Sequence, residues 1–106
     1  MSKAERGGAP GKSFIATLRT KPEKRADFIV LQTELKALVH QHEPDAWVYE
    51  VMQSEEDENL FYCIATFKDE TALDHHMQID FHDRLVPPII DCLAEDMQLT
   101  FLRSHS

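Results

Sequence analysis

A chain of 106 residues, 42% hydrophobic and 28% charged, has the length and make-up of one folded domain, not of a disordered segment. Its net charge of −8, nineteen acidic against eleven basic side chains, excludes a nucleic-acid backbone and an anionic membrane as partners, because both are held by clustered Lys and Arg. No run approaches the roughly 20 apolar residues of a membrane span. The three glycines all precede Lys12, so no phosphate-cradling or dinucleotide loop exists.

Residues 1–12 are rich in Gly, Ala and Lys, carry no apolar secretory core, and are expected to form a flexible arm. Ser13 to Thr20 alternates apolar Phe14, Ala16 and Leu18 with mixed Ile15, Thr17 and Arg19, the period of a strand. Thr20 and Glu23 match a capping box with Pro22 in the first turn, predicting a helix that runs to about His42 on a stripe of Phe28, Leu31, Leu35, Leu38 and His42. Glu43-Pro44 ends it, since the residue before proline leaves helical geometry.

Ala46–Ser54 and Leu60–Phe67 read as an antiparallel hairpin joined by the acidic turn Glu55-Glu56-Asp57-Glu58. Trp47, Tyr49 and Val51 are expected on one face of the first strand, while Glu50 requires a basic partner or the sheet edge. In the second strand Phe61, Cys63, Ala65 and Phe67 share one face and Leu60, Tyr62, Ile64 and Thr66 the other. Both faces therefore want cover. Helices supply it on one side; a second copy of the sheet is the simplest cover for the other, which predicts a homodimer.

Asp69 caps a short helix from Glu70 to about Met77, and Asp80 caps the next, which Pro87-Pro88 is expected to kink or restart. Met97 to Arg103 closes as a strand, leaving 104–106 as a tail and 13–103 as the single domain. The order strand, helix, strand, strand, helical pair, strand is β-α-β-β-α-β: an α+β, ferredoxin-like sandwich. Cys63 and Cys92 are far apart, without metal-ligand spacing, and read as small core residues of a reduced, cytoplasmic protein.

The chemistry gathers between Thr66 and Leu93, around His75, His76 and His82. Adjacent histidines on a helix point about 100° apart, so His75 and His76 cannot share a pocket. Leu73 and Met77 mark the buried side and place His76 beside it, with His82 able to return over the same space. His76 then reads either as a proton-transfer group for a bound small molecule or as a hydrogen-bonded boundary histidine. The three histidines lack the i, i+4 pair of a helical zinc motif, so no metal is expected.

Four segments in order resemble the antibiotic-biosynthesis monooxygenase (ABM) family of small dimeric α+β barrels. They are Lys21-Pro22-Glu23-Lys24; Glu43-Pro44-Asp45-Ala46 with Tyr49-Glu50; Phe67-Lys68-Asp69-Glu70-Thr71-Ala72-Leu73; and His76 with Phe81. Asp45 stands where the family usually has glycine, and Thr66 where it often has glutamate. The resemblance implies a cavity between sheet and helices, two subunits packed through their sheet faces into a dimeric α/β barrel, and oxidation of a quinol- or anthrone-type compound by O2 with no cofactor or metal. His76 would shuttle the proton. Tyr49 would hydrogen-bond the substrate, with Trp47, Phe67, Phe81 and His82 around it. An isomerase or lyase of the same barrel acting on a small ketone or sugar-derived compound, and a non-catalytic small-molecule-binding barrel, stand as alternatives. Haem breakdown is not implied, because the asparagine and tryptophan that haem-degrading relatives use have no counterpart here.

Overall fold

The computed structural model describes residues 11–105. In chain order these form β1 (Lys12–Arg19), α1 (Arg25–His42, entered through a 3-10 turn at Pro22–Lys24), β2 (Ala46–Gln53), β3 (Leu60–Phe67), α2 (Glu70–Gln78), α3 (Asp80–Asp91) and β4 (Gln98–Arg103). The strands make one antiparallel sheet in the order β2-β3-β1-β4. This is the ferredoxin-like α+β arrangement expected from the element order.

The sheet's inner face follows from strict alternation. Phe14, Ala16 and Leu18 of β1 and Phe61, Cys63, Ala65 and Phe67 of β3 are buried, while the residues between them are not. Register sets Ala16 opposite Cys63, with Phe14 opposite Ala65 and Leu18 opposite Phe61. Two small side chains thus meet at the sheet's centre, flanked by aromatics. α1 packs on β2 and α3, and α2 on β3 and α3, closing the core. Each fully buried Phe there contributes about 1.5–3 kcal/mol relative to exposure.

Several local expectations are corrected. Thr20 does not cap α1; it forms a bridge with Leu93, and its hydroxyl donates to the Asn59 carbonyl at 3.3 Å, so β1's end is tied to the hairpin and to the C-terminus of α3. The buried stripe of α1 is Phe28, Gln32, Leu35 and Val39, with Leu31 and Leu38 half-buried beside it and His42 exposed. Spacings of four, three and four keep to the 3.6-residue turn, as the expected stripe also did, but on a line that buries Gln32 and Val39. Pro87 and Pro88 sit inside a continuous α3. The carbonyls that lose an amide partner belong to Asp83 and Arg84, both exposed residues. A bulge between Ala46 and Val48 breaks the alternation of β2: Ala46 and Tyr49 are buried and Trp47 is not. β4 begins at Gln98, one residue after the expected Met97.

The expected arm falls at residues 1–10 outside the described residues, whereas Lys12 already belongs to β1. Ser104 donates its N–H to the Gly11 carbonyl at 2.9 Å, carrying the β1–β4 ladder one step further. Among the described residues no helix is long and apolar enough to cross a membrane.

Candidate active site

α2 is aimed by its cap. The Asp69 carboxylate accepts from the Ala72 amide at 2.9 Å, fixing the first turn so that Leu73 and His76, three residues apart, face the sheet. His76 is 1% exposed, and its ring lies 5.0 Å from Phe67, 5.5 Å from Tyr49 and 6.4 Å from Phe14 by centroids. Into this dry box reaches Glu43, the residue that ends α1, itself 5% exposed. Its Oε2 is 2.9 Å from His76 Nδ1.

A buried carboxylate needs a donor, so Nδ1–H donates to Glu43, and in the neutral ring the other nitrogen then presents its lone pair. That nitrogen, Nε2, is sealed from water and has no hydrogen-bond partner. Leaving a buried acceptor unpaired costs about 1–3 kcal/mol. A carboxylate-oriented imidazole whose Nε2 is free of partners is chemically able to take a proton from a hydroxyl that reaches it.

The neighbours are tuned to neutrality. Burial pushes the Tyr49 phenol well up, assisted by the Cys63 thiol against it and by the Glu43 charge. Burial likewise raises the Cys63 thiol to about 11, partly offset by its hydrogen bond with Tyr49. Both stay protonated near neutral pH, so Tyr49 is a donor and not a phenolate. The His82 ring packs edge-on to His76 at 4.7 Å. Burial, followed by the neighbouring His76, lowers its pKa, although Asp83 and Glu43 pull the other way.

These groups border a cavity of about 100 Å³ between the sheet and the helices, lined almost wholly by apolar atoms. Phe14, Ala16, Leu18, Tyr49 and Cys63 form its floor; Leu35, Met77, Val86 and Ile89 its roof; half-buried Met97 and exposed Ile90 and Leu99 its rim. Space exists here because Ala16 and Cys63 are paired at the sheet's centre. Gln32 of α1 also lines the cavity, and its Oε1 is the second buried side-chain atom without a partner. Glu43 borders a separate surface groove together with His42, Asp45, Asp69 and His75, so the Glu43–His76 pair spans from that groove to the cavity. Among the described residues no three His, Cys, Asp or Glu side chains converge as metal ligands.

The model of the antibiotic biosynthesis monooxygenase family matches residues 13–86. The chain belongs to this family. Among solved structures, an antibiotic biosynthesis monooxygenase superposes with a TM-score of 0.82 at 26% identity, covering 90% of this chain and 99% of its own. A conserved protein from Methanosarcina mazei Go1 gives 0.84 at 25% identity, covering 90% and 93%. A Caulobacter crescentus CB15 protein, provisionally described as an antibiotic biosynthesis monooxygenase, gives 0.88 at 23% identity and 92% coverage of both chains, a likeness of fold. No curated protein matches the chain.

Within this ABM domain, the residues singled out from sequence divide into two groups. His76, Tyr49 and His82 line one cavity, and Phe67 packs behind His76. Phe81 is buried elsewhere, its ring 5.9 Å from that of His42, and Trp47 lies at the β2 bulge; neither borders the cavity. Sequence reading missed Glu43 as a partner for His76, and Gln32 and Cys63 as cavity residues. Gln32 carried a signal, since it is the polar residue at i+4 from Phe28 and i−3 from Leu35. Glu43 carried none beyond its place in the Glu43-Pro44 stop, because it meets His76 from 33 positions away.

Proposed function

We propose that this chain is a cofactor-independent monooxygenase that oxidises a small aromatic hydroxyl compound with O2, working as a homodimer. The observation that carries the reading is the bare, buried Nε2 of His76 facing an apolar cavity while Glu43 holds Nδ1. Membership of a family named for monooxygenation, and a likeness to structures bearing that name, support the same class of chemistry.

In this reaction the substrate hydroxyl gives its proton to Nε2, and the Nδ1 proton is stabilised by Glu43 as the imidazolium forms. The resulting electron-rich anion, kept dry by Phe14, Leu35 and Met77, reduces O2 itself. One oxygen atom enters the ring as a new carbonyl and the other leaves as water; conversion of a phenol to a quinone supplies the four electrons this requires. Neutral Tyr49 donates a hydrogen bond, and the groove beside Glu43 gives the proton a way out. The two unpaired thiols fit a reducing cytoplasmic setting.

The second subunit would cover the sheet's outer face, where Val48, Met52, Ile64 and Leu102 are 37–53% exposed and together form an apolar surface. Replacing His76 by Ala should lower O2-dependent quinone formation by about 10²–10⁴-fold, the worth of a general base, with the circular dichroism spectrum retained. Unchanged oxygen uptake overturns the assignment of the base. Turnover that proceeds equally well without oxygen overturns the monooxygenase reading in favour of an isomerase or lyase.

A further inference from the structure

Gln32 is an anomaly in the core. It occupies the centre of α1's buried stripe, where the neighbouring positions hold Phe28, Leu35 and Val39. It is 6% exposed, and its Oε1 has no hydrogen-bond partner. Buried polar groups are normally paired, and an unpaired one in a native core calls for a reason. Gln32 lines the same cavity as His76, whose Nε2 is the only other buried side-chain nitrogen or oxygen left unpaired among the described residues. The residues that carry these two unpartnered atoms, Gln32 of α1 and His76 of α2, both line one apolar chamber, and Gln32 also borders a groove beside Thr33, Lys36 and Gln53.

The chamber also has a size. At about 100 Å³ it is of the order of a single six-membered ring; an engineered apolar cavity of roughly 150 Å³ takes up benzene. Three fused rings do not fit within it. Its narrowness is set by Leu35, Val86 and Ile89 closing over the Ala16–Cys63 pair.

We infer that Gln32 is a substrate-binding residue, and that the cavity takes a one-ring compound carrying two hydroxyl donors, one for Gln32 Oε1 and one for His76 Nε2. This names the substrate class for the site proposed above and rests on that site being the binding cavity, though not on the oxidation occurring. The ligand's hydroxyls satisfy both orphaned acceptors and its ring fills the apolar volume. A ring with a single hydroxyl leaves one acceptor unpaired, and a tricyclic diol exceeds the volume under the roof and would have to extend past the rim. Substituents on the ring can leave only past Ile90, Met97 and Leu99.

The test is binding under anaerobic conditions, measured by calorimetry on the full chain. The probes are phenol, the three benzenediol isomers and a dihydroxyanthracene. In the wild type one benzenediol isomer should bind about tenfold or more tighter than phenol, the worth of one additional satisfied hydrogen bond, and the tricyclic diol should bind at least as weakly as phenol. In Gln32→Leu the diol's advantage should shrink to within about twofold, while the melting temperature stays level or rises because an apolar isostere replaces an unpaired amide. Ala16→Val, which fills the chamber from the sheet side, should abolish diol binding. The assignment is overturned if Gln32→Leu leaves the diol-to-phenol ratio unchanged, if Gln32→Leu melts well below wild type, if the tricyclic diol binds as tightly as the best benzenediol, or if none of the probes binds. Binding as expected without oxygen-dependent turnover leaves this inference standing and overturns the monooxygenase reading alone.

Discussion

Phe14 and Phe101 are paired across β1 and β4 on the same face of the sheet, ring centroids 6.4 Å apart, yet Phe14 is 5% exposed and Phe101 51%. The difference lies in what stands above them. Over β1 and β3 the helices close down, and His76, Tyr49 and Phe67 complete a sealed aromatic box around Phe14. Over β4 the cover is missing, so Leu99 and Phe101 remain 39% and 51% exposed although they point to the inner side. One part of this domain is finished by its own chain; the other is not. The cavity lies at the seam, with its deep end in the finished part and its rim at Met97 and Leu99 on the bare strip. Whatever covers the bare apolar surfaces therefore bears on access to the site.

The widest break of this contrast comes from the outer face. Ile64→Lys places a charge in the middle of the apolar surface proposed to meet a second copy. The isolated domain should tolerate it to within about 0.5 kcal/mol, as exposed sites usually do. Light scattering after size exclusion should show a dimer for the wild type and a monomer for the variant. A wild-type monomer at micromolar concentration removes the dimer from the reading. Next, Phe14→Ala should cost about 3–5 kcal/mol, the usual price of emptying a packed aromatic site, whereas Phe101→Ala in the Ile64→Lys monomer should cost about 1 kcal/mol or less. Urea denaturation measures both. Equal costs would mean the bare strip is as closely packed as the box.

Glu43 sharpens the finished side. Glu43→Gln keeps the size and a polar contact but puts an amide donor beside Nδ1 in one rotamer, disfavouring the tautomer whose Nε2 is bare. The turnover number should fall by about 10²–10⁴-fold, the range seen when a carboxylate that orients a catalytic histidine is neutralised. KM should change little, and Glu43→Asp should recover part of the rate. A Glu43→Gln rate within threefold of wild type (roughly 0.6 kcal/mol) would make the carboxylate structural.

What the sequence showed and what it hid follow one physical line. β3, the hairpin, the Asp69 cap and the Glu43-Pro44 stop depend on residues within four positions of one another, and alternation or capping chemistry makes them legible. Gln32, the Ala16–Cys63 gap and the Glu43–His76 pair depend on which elements face each other. The stripe of α1 is offset from the expected one because two lines share Phe28 and Leu35 at helical spacing, and a core glutamine is polar in pattern but buried in fact. Pro87-Pro88 reads as a break from local rules, yet α3 runs through it, with the residues four positions back, Asp83 and Arg84, exposed. Trp47 and Phe81 were placed at the cavity by resemblance; a bulge moves the first out of phase, and α3 turns the second toward His42. His76 was legible as a residue beside the buried side of α2. Its chemistry was not, because that needs Glu43.

The smallest effect is on pH dependence, and it tests whether the site stays neutral by burial. His82 sits at the margin of the sealed region, with its pKa below the ordinary 6.5 chiefly through desolvation. In the unfolded chain it titrates at the ordinary value. As pH falls through 6.5, the unfolded state binds a proton that the folded state does not yet accept, so stability drops between the unfolded and the folded pKa and levels off below the latter. Above 6.5 the contribution is complete and flat. Melting temperature followed from about pH 7.5 down to pH 5 should therefore show a decline that His82→Gln partly removes, with wild type and variant converging in slope above neutrality. Should the variant decline as steeply as wild type, His82 is only a packing neighbour of the site and not its pH-sensitive group. If the decline is gone altogether, His82 accounts for the whole of it.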